Sequence, residues 1–488
     1  MSRQISLFTI AFCAAALPTF AASTTAPLDF ADARTRLHER ADIMQVDRAE
    51  IARAQHEAEA AKSLSGPKVE IDVKQVWGTK TVDLGLDTGL GAVGDRLSAM
   101  GGIMASNPQL PGGVAAGTLA QALGQQMKGF DHLNVHFKQD IGGPRAALTA
   151  SLPLYTGGLI TAQQQALNHK VSETRADRDM RENSLDAELA ARYWGVQLAR
   201  SVARLHESVL KDQNEEVRRA KQFEKRGLIS KVERLAVEVA RDNARRTLVN
   251  AQSDVSVAET ELMRQLRETE LPALASPLFI LTGDLGTISE WQNRARAQSP
   301  ILHKMNALRS QAGEGVRAAE ASFKPKVYAF GTKNLIKHYL TLPEPDWMAG
   351  VGVTFTLWDN RDRFDRLNAA KSVVTKAEAA RSEAENEIAS HVEVAYLRVM
   401  QAREDYDLTG STVELARENL KLREAAFAEG LSNATDVDTA RTKLTGAELA
   451  RRAAAYKFVV SWAMLHAAAG AMPDFVNSLN RADLVVVD

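Results

Sequence analysis

Leu154-Tyr155-Thr156-Gly157-Gly158 and Leu357-Trp358-Asp359-Asn360 stand at the heads of two long proline-free stretches, 159–226 and 361–428. Both stretches are dominated by Ala, Glu, Arg, Gln and Leu, residues that lose little freedom in a helix. Each therefore reads as one helix, and at about 1.5 Å per residue such a helix is roughly 100 Å long. Globular domains rarely hold a helix of that length. Along the second stretch apolar or small residues recur at alternating three and four spacing, interrupted by Thr409 and Arg423: Val392, Ala395, Val399, Ala402, Tyr406, Val413, Ala416, Leu420 and Phe427. That period of about 3.5 is a coiled-coil seam.

Working outward, both stretches end on the same signal, Gly227-Leu228 and Gly430-Leu431. Each glycine lies 73 residues beyond its opening leucine, so a repeat offset of 203 holds without a gap. An earlier landmark, Pro67-Lys68-Val69 against Pro325-Lys326-Val327, has an offset of 258, so the first repeat carries 55 extra residues. They fall in the Gly-rich stretch 79–143, whose prolines include Pro111, with Pro144 just beyond it, in the place of a loop between two strands.

The strands alternate with period two. Val69, Ile71 and Val73 share one face and Glu70, Asp72 and Lys74 the other; Leu148, Ala150, Leu152 and Leu154 oppose Ala147, Thr149 and Ser151. Val351, Val353, Phe355 and Leu357 repeat the pattern against Gly350, Gly352, Thr354 and Thr356, whereas 326–333 alternates poorly. One face suits lipid and the other a wet lumen. Four strands cannot close a membrane barrel, since single-chain barrels begin at about eight. Several copies must share one barrel, and three copies would give twelve strands.

The ends and the composition fix the compartment. Arg3 followed by the short apolar run Ile5–Leu17, then Thr19, Ala21 and Ala22, reads as a secretory signal cleaved near residue 22. Cys13 is the only cysteine and lies inside it, leaving no disulfide or thiol chemistry to the mature chain. A net charge of −1 gives no field for nucleic acid. No later apolar run is long enough for a membrane-spanning helix, so a crossing would need strands. The expected plan is a mainly α fold with a small β part: signal 1–22; first repeat 23–270, with strands 68–78 and 145–156, insertion 79–143, and long helices 159–226 and 229–268; linker 271–286; second repeat 287–470, with strands 326–333 and 348–358 and helices 361–428 and 434–469; and tail 471–488.

Signals for chemistry are few. Gly89-Leu90-Gly91-Ala92-Val93-Gly94 matches a dinucleotide fingerprint by letter but lacks a βαβ context. His132 and His136 have no companion ligands beyond Asp131 or Asp140 at a useful spacing. No phosphate-loop lysine motif, nucleophile elbow or HExxH motif occurs. The expectation is no enzyme, no cofactor and no metal.

The order helix, strand, strand, long helix, turn, long helix, given twice, resembles the TolC-like outer membrane efflux proteins. The resemblance covers nearly all of the mature chain. Its most specific pieces are Leu152-Pro153-Leu154-Tyr155-Thr156-Gly157-Gly158, Glu429-Gly430-Leu431-Ser432 followed by Asp436-Val437 and Ala440-Arg441, the Ala454–Tyr456 region and Leu465–Gly470. It implies a homotrimer with a twelve-stranded barrel in outer-membrane lipid and a tunnel of coiled-coil helices, an α-barrel, across the periplasm. It implies as partners a periplasmic adaptor and an inner-membrane transporter, in efflux or type I secretion. By resemblance the turns Arg226, Gly227, Leu228, Ile229, Ser230 and Glu429, Gly430, Leu431, Ser432, Asn433 are adaptor-contact tips. Asp436 matches a gate carboxylate and Glu233 its acidic partner. The second gate carboxylate is replaced by Thr439, with Asp438 one residue earlier, and a locking arginine by Ser432. The alternative, a periplasmic adaptor, would carry one long hairpin beside compact β domains; two hairpins alternating with membrane-like strand pairs disfavour it.

Overall fold

The computed structural model describes residues 27–84, 89–106, 113–126, 135–336, 344–429 and 431–487; the expected signal lies outside them. Among the described residues the chain runs through α1 (Phe30–Arg40), α2 (Asp42–Lys62), β1 (Lys68–Leu84), α3 (Gly89–Ala105), α4 (Gly113–Gln126), β2 (Val135–Tyr155), α5 (Leu159–Lys225) and α6 (Lys231–Leu266). It continues through β3 (Leu278–Leu281), α7 (Ile288–Gln298), α8 (Pro300–Ala321), β4 (Lys326–Asn334), β5 (Trp347–Thr354), α9 (Asp362–Ala428), α10 (Ala434–Ala469), α11 (Met472–Ser478) and β6 (Leu484–Val487). The fold is mainly helical, and no described helix is long and apolar enough to cross a membrane.

The two repeats match to the residue. α5 and α9 each hold 67 residues and α6 and α10 each hold 36, with every helix end displaced by the same offset. The strained turn that opens each long helix is also duplicated: Gly157 and Gly158 have φ of 69° and 99°, Asn360 and Arg361 have φ of 50° and 75°. The second pair sits one residue later than the Asp359-Asn360 landmark suggests. Glycine is needed at 157 on two counts, because a Cβ there would come within 2.8 Å of the Ala321 carbonyl oxygen.

Along α9 the seam forms as its period requires, with Val392, Val399, Ala402, Tyr406 and Val413 all buried. A second row of the same helix, Leu408, Leu415 and Leu422, stays exposed.

β1, β2, β4 and β5 form one antiparallel sheet in the order β1-β2-β4-β5, joined across the repeats by β2 and β4. Val69, Ile71 and Val73 on β1 and Val351 and Val353 on β5 are all exposed. The poorly alternating β4 is held by a different device. Tyr328 and Phe330 lie across from Gly352 and Gly350, and a Cβ at 352 would fall 2.5 Å from the Tyr328 ring. Aromatic rings thus cover bare backbone on the neighbouring strand.

Three expected boundaries need correction. The insertion is shorter than 79–143, because β1 continues to Leu84 and β2 begins at Val135, paired from Lys68↔Ser151 to Leu84↔Val135. The described part of what remains is helical, α3 and α4. The strand expected over 348–358 stops at Thr354, and that over 145–156 is only the end of β2.

Midway along the helices lies the main core, and here the expected linker 271–286 and tail 471–488 are corrected to structural elements. β3 pairs with β6 across about two hundred residues of sequence. Phe279, Met472 and Phe475 are fully buried beside Phe30, Tyr193, Trp194, Phe458 and Trp462. The polar edges of these aromatics are satisfied: Tyr193 Oη donates to the Leu28 carbonyl at 2.7 Å, and Trp194 Nε1 to the Pro277 carbonyl at 2.9 Å. His466 is buried in the same cluster with Nδ1 2.9 Å from the Trp462 carbonyl. Burial holds its pKa down at about 4, so its imidazole is neutral at ordinary pH.

Candidate functional site at the helix-hairpin tips

The two hairpins α5–α6 and α9–α10 turn at the end of the molecule opposite the sheet. At the first tip Gly227 adopts φ 73°, and the amides of Gly227 and Leu228 return to the carbonyls of Glu224 and Phe223 at 2.9 and 3.0 Å. This closes the last turn of α5 in the manner of a left-handed cap. Leu228 projects into solvent, while Ile229 packs inward on Val217, Ala220 and Val237, as Ala434 does from the second hairpin. Ser230 then caps α6. The Glu233 amide donates to Ser230 Oγ at 3.2 Å and the Ser230 amide to Glu233 Oε2 at 2.7 Å, a reciprocal capping box. The Glu233 carboxylate is therefore engaged in starting its own helix, a role that the Ser-x-x-Glu spacing already signals.

At the second tip Glu429 ends α9, the Leu431 amide returns to the Ala426 carbonyl at 2.8 Å, and Leu431 is exposed. Gly430 lies outside the described residues. Asn433 caps α10 by accepting the Asp436 amide at 2.8 Å. Ser432 Oγ donates to Asp436 Oδ2 at 3.1 Å, and Arg423 Nη1 stands 3.9 Å from the same oxygen. Asp436 is thus a partly exposed carboxylate in the first turn of a helix, where the dipole favours its charge. Asp436 and Glu233 occupy separate tips, and no contact joins them among the described residues.

Behind the tips lies a polar layer that the sequence reading missed. Gln213 Nε2 donates to Asp438 Oδ1 at 3.0 Å, tying the first hairpin to the second. Arg441 is buried, its Nη2 2.6 Å from Glu424 Oε1 and 3.6 Å from Glu216 Oε1. Arg234 bridges Glu224 and Glu238, at 2.7 Å to each, and its hydrogen bond holds the Glu238 carboxyl below its usual range. Gln213, Glu216, Asp438 and Arg441, together with Val237 and Phe427, line a cavity of about 300 Å³ between the hairpins. Asp438 matched no role by motif, because what it contacts is set by the approach of α10 to α5.

No motif for chemistry gathers at this end. The Gly89–Gly94 sequence lies in the first turns of α3, outside any βαβ unit, and His132 lies outside the described residues. Among the described residues one His and acid cluster occurs elsewhere, between α1 and α5. His38 Nε2 lies 2.6 Å from Asp186 Oδ1, with Glu182 close by. Arg34 Nε is also 2.6 Å from Asp186, so the buried carboxylate already has cationic compensation.

The profile of outer membrane efflux proteins matches residues 104–266 and 291–471, one segment in each repeat and well over half of the chain. The chain belongs to the outer membrane efflux protein family. Its members are channel proteins and not enzymes. Solved structures share the fold over nearly the whole length. CusC matches with a TM-score of 0.68 at 12% identity, covering 90% of this chain and 91% of that one. The outer membrane protein VceC of Vibrio cholerae matches with 0.66 at 12%, covering 91% and 96%. The open state of the MtrE outer membrane channel of Neisseria gonorrhoeae matches with 0.63 at 16%, covering 91% and 89%. No individually curated relative matches the sequence.

Proposed function

We propose that three copies of this chain form one duct through the outer membrane, passively discharging the cargo of an inner-membrane transporter joined to it by a periplasmic adaptor. The observation that carries this is the pair of free sheet edges. Within the chain the second strand of repeat one, β2, pairs with the first strand of repeat two, β4. The strands left at the edges are the second of repeat two, β5, and the first of repeat one, β1. Applying the repeat relation to the β2–β4 register sets Thr354 opposite Asp72 of the next copy, Val353 opposite Val73 and Gly352 opposite Lys74. A head-to-tail contact of this kind closes into a ring and leaves no edge.

The helices support the same operation. α10 rests on α5 and α6 within the chain, so α6 would rest on α9 and α10 of a neighbour. Both α6 and α9 carry exposed apolar rows suited to that contact, Val232, Leu235 and Val239 on one and Leu408, Leu415 and Leu422 on the other. The exposed face of Val69, Ile71, Val73, Val351 and Val353 then meets lipid.

The tips Arg226–Ser230 and Glu429–Asn433, with Leu228 and Leu431 exposed, are the surfaces for the adaptor. Asp436 repeated about the axis forms an acidic ring at the narrow end, attractive to cations. Glu233, committed to its cap, is left out of that ring. Asp436→Ala is expected to change conductance and divalent-ion block in planar bilayers while the oligomer persists; unchanged block would remove the ring.

The assembly itself is tested with paired cysteines, Asp72→Cys with Thr354→Cys and Val73→Cys with Val353→Cys, which cover both ladder geometries. Oxidation of membranes should yield covalent trimers from at least one pair. A chain that stays monomeric and soluble in the periplasm would overturn the duct.

A further inference from the structure

We propose that the α3–α4 hairpins of neighbouring copies pack on one another above the outer mouth of the duct, forming a constricting collar. The proposal rests on the trimeric reading above. Its starting point is a hairpin with too much apolar surface for its own interface. α3 and α4 meet closely through glycines, with Val93 and Leu97 buried beside them: a Cβ on Gly117 would fall 2.4 Å from the Gly101 carbonyl oxygen, and one on Gly124 3.2 Å from that of Gly94. Five further large side chains, Met100, Ile103, Val114, Leu119 and Leu123, are left exposed. α4 holds no charged residue, and α3 holds only Asp95 and Arg96. A hairpin in open water would carry charge on that face. Its substantial packing is confined to its own two helices, so cover must come from outside the chain.

The ribbon that bears the hairpin shows where that cover lies. β4 ends opposite Ala147, and beyond it β1 and β2 continue as a two-stranded ribbon to Leu84↔Val135. On the lipid-side parity of β1, Val69, Ile71 and Val73 are followed by Trp77, 78% exposed, at the place of an interfacial aromatic. Seven further residues at about 3.3 Å each carry the hairpin roughly 20 Å beyond that girdle. Beyond the lipid, the apolar surface available to the hairpin is that of the other copies, whose ribbons rise from the same ring. Small residues between close helices are also the habit of membrane helices, but the height of the ribbon places the hairpin away from lipid.

The test uses single cysteines, Leu119→Cys or Leu123→Cys, in the full-length chain, whose one native cysteine is Cys13. Oxidation of intact cells should cross-link copies at one or both positions. The double variant Leu119→Lys, Leu123→Lys should keep the trimer and raise its conductance in planar bilayers by a factor of about two or more. Full labelling by a membrane-impermeant maleimide with no cross-link, in cells where the Asp72 to Thr354 disulfide forms, would overturn the collar and leave the duct. So would a nitroxide at 119 that is relaxed by oxygen more than by a water-soluble nickel complex, which would assign the hairpin to lipid. Absence of the edge disulfide as well would overturn duct and collar together.

Discussion

The core midway along the helices, a belt built around β3 and β6, and the sheet are both rich in apolar side chains, yet one chain buries the first and not the second. At the belt Trp194, Phe30 and Phe475 are sealed by elements from both repeats and from the chain's last residues. In the sheet Ile71, Val73, Val351 and Val353 remain mostly exposed, and both outer strands lack a neighbour among the described residues. The belt is thus a folding core in the ordinary sense. The sheet is a partial surface whose free energy is realised only in lipid and beside other copies. The two regions should therefore fail differently when damaged.

The sharpest contrast comes from Trp194→Ala, which removes a fully buried indole from an aromatic cluster and costs about 3–5 kcal/mol. Urea unfolding followed by helical circular dichroism should show the loss in each chain before any assembly, and little protein should reach the outer membrane in cells. A normal urea midpoint would mean that the belt is not the organising core. Val73→Lys should act at the other end, at a cost of about 2–4 kcal/mol if the position lies near the bilayer midplane. Helical content and the urea midpoint of the detergent-free chain should not change, whereas insertion and trimer yield in lipid vesicles should fall. Were the helices to melt with it, the separation of belt from sheet would be wrong.

The smallest effect is confined to acid. The buried His466 has its pKa lowered to about 4 against an ordinary 6.5, so the unfolded chain takes up a proton first as pH falls. Its contribution is fully present above pH 6.5 and is lost progressively down to about 4. His466→Phe should flatten the unfolding midpoint over that window and leave it little altered at pH 8. An unchanged slope would assign the pH response to other groups.

The same contrast explains what was legible in the sequence. The repeat, the long helices and their seam depend on local periodicity, and the turn glycines on local backbone geometry, so spacing alone located them. The β3–β6 part of the belt falls in the expected linker and tail because the two strands are four residues each and find each other across the whole second repeat; no local signal reports such a pairing. Gly142 and Gly143, with Pro144 just beyond them, suggest a loop. They are tolerated inside β2 because beyond Ala147 β2 has a single strand neighbour, so a proline there forgoes at most one ladder bond. At the tips the turn positions are legible, and so is the Ser230-x-x-Glu233 capping box, a signal that the resemblance to a gate does not carry. Arg441 and Gln213 were invisible as partners, since their contacts depend on how the two hairpins approach.

The equality of the paired helices, 67 with 67 and 36 with 36, constrains how such a chain can change. Deleting one residue from α9 alone would lift its tip by about 1.5 Å and rotate it by about 100° relative to the tip of α5. Both tips would then present mismatched depths and faces to whatever binds them. Length variation compatible with the architecture must come in whole heptads, removed or added in both long helices and in both returning helices at once. The reach of this protein is in effect a quantised trait, inherited four helices at a time.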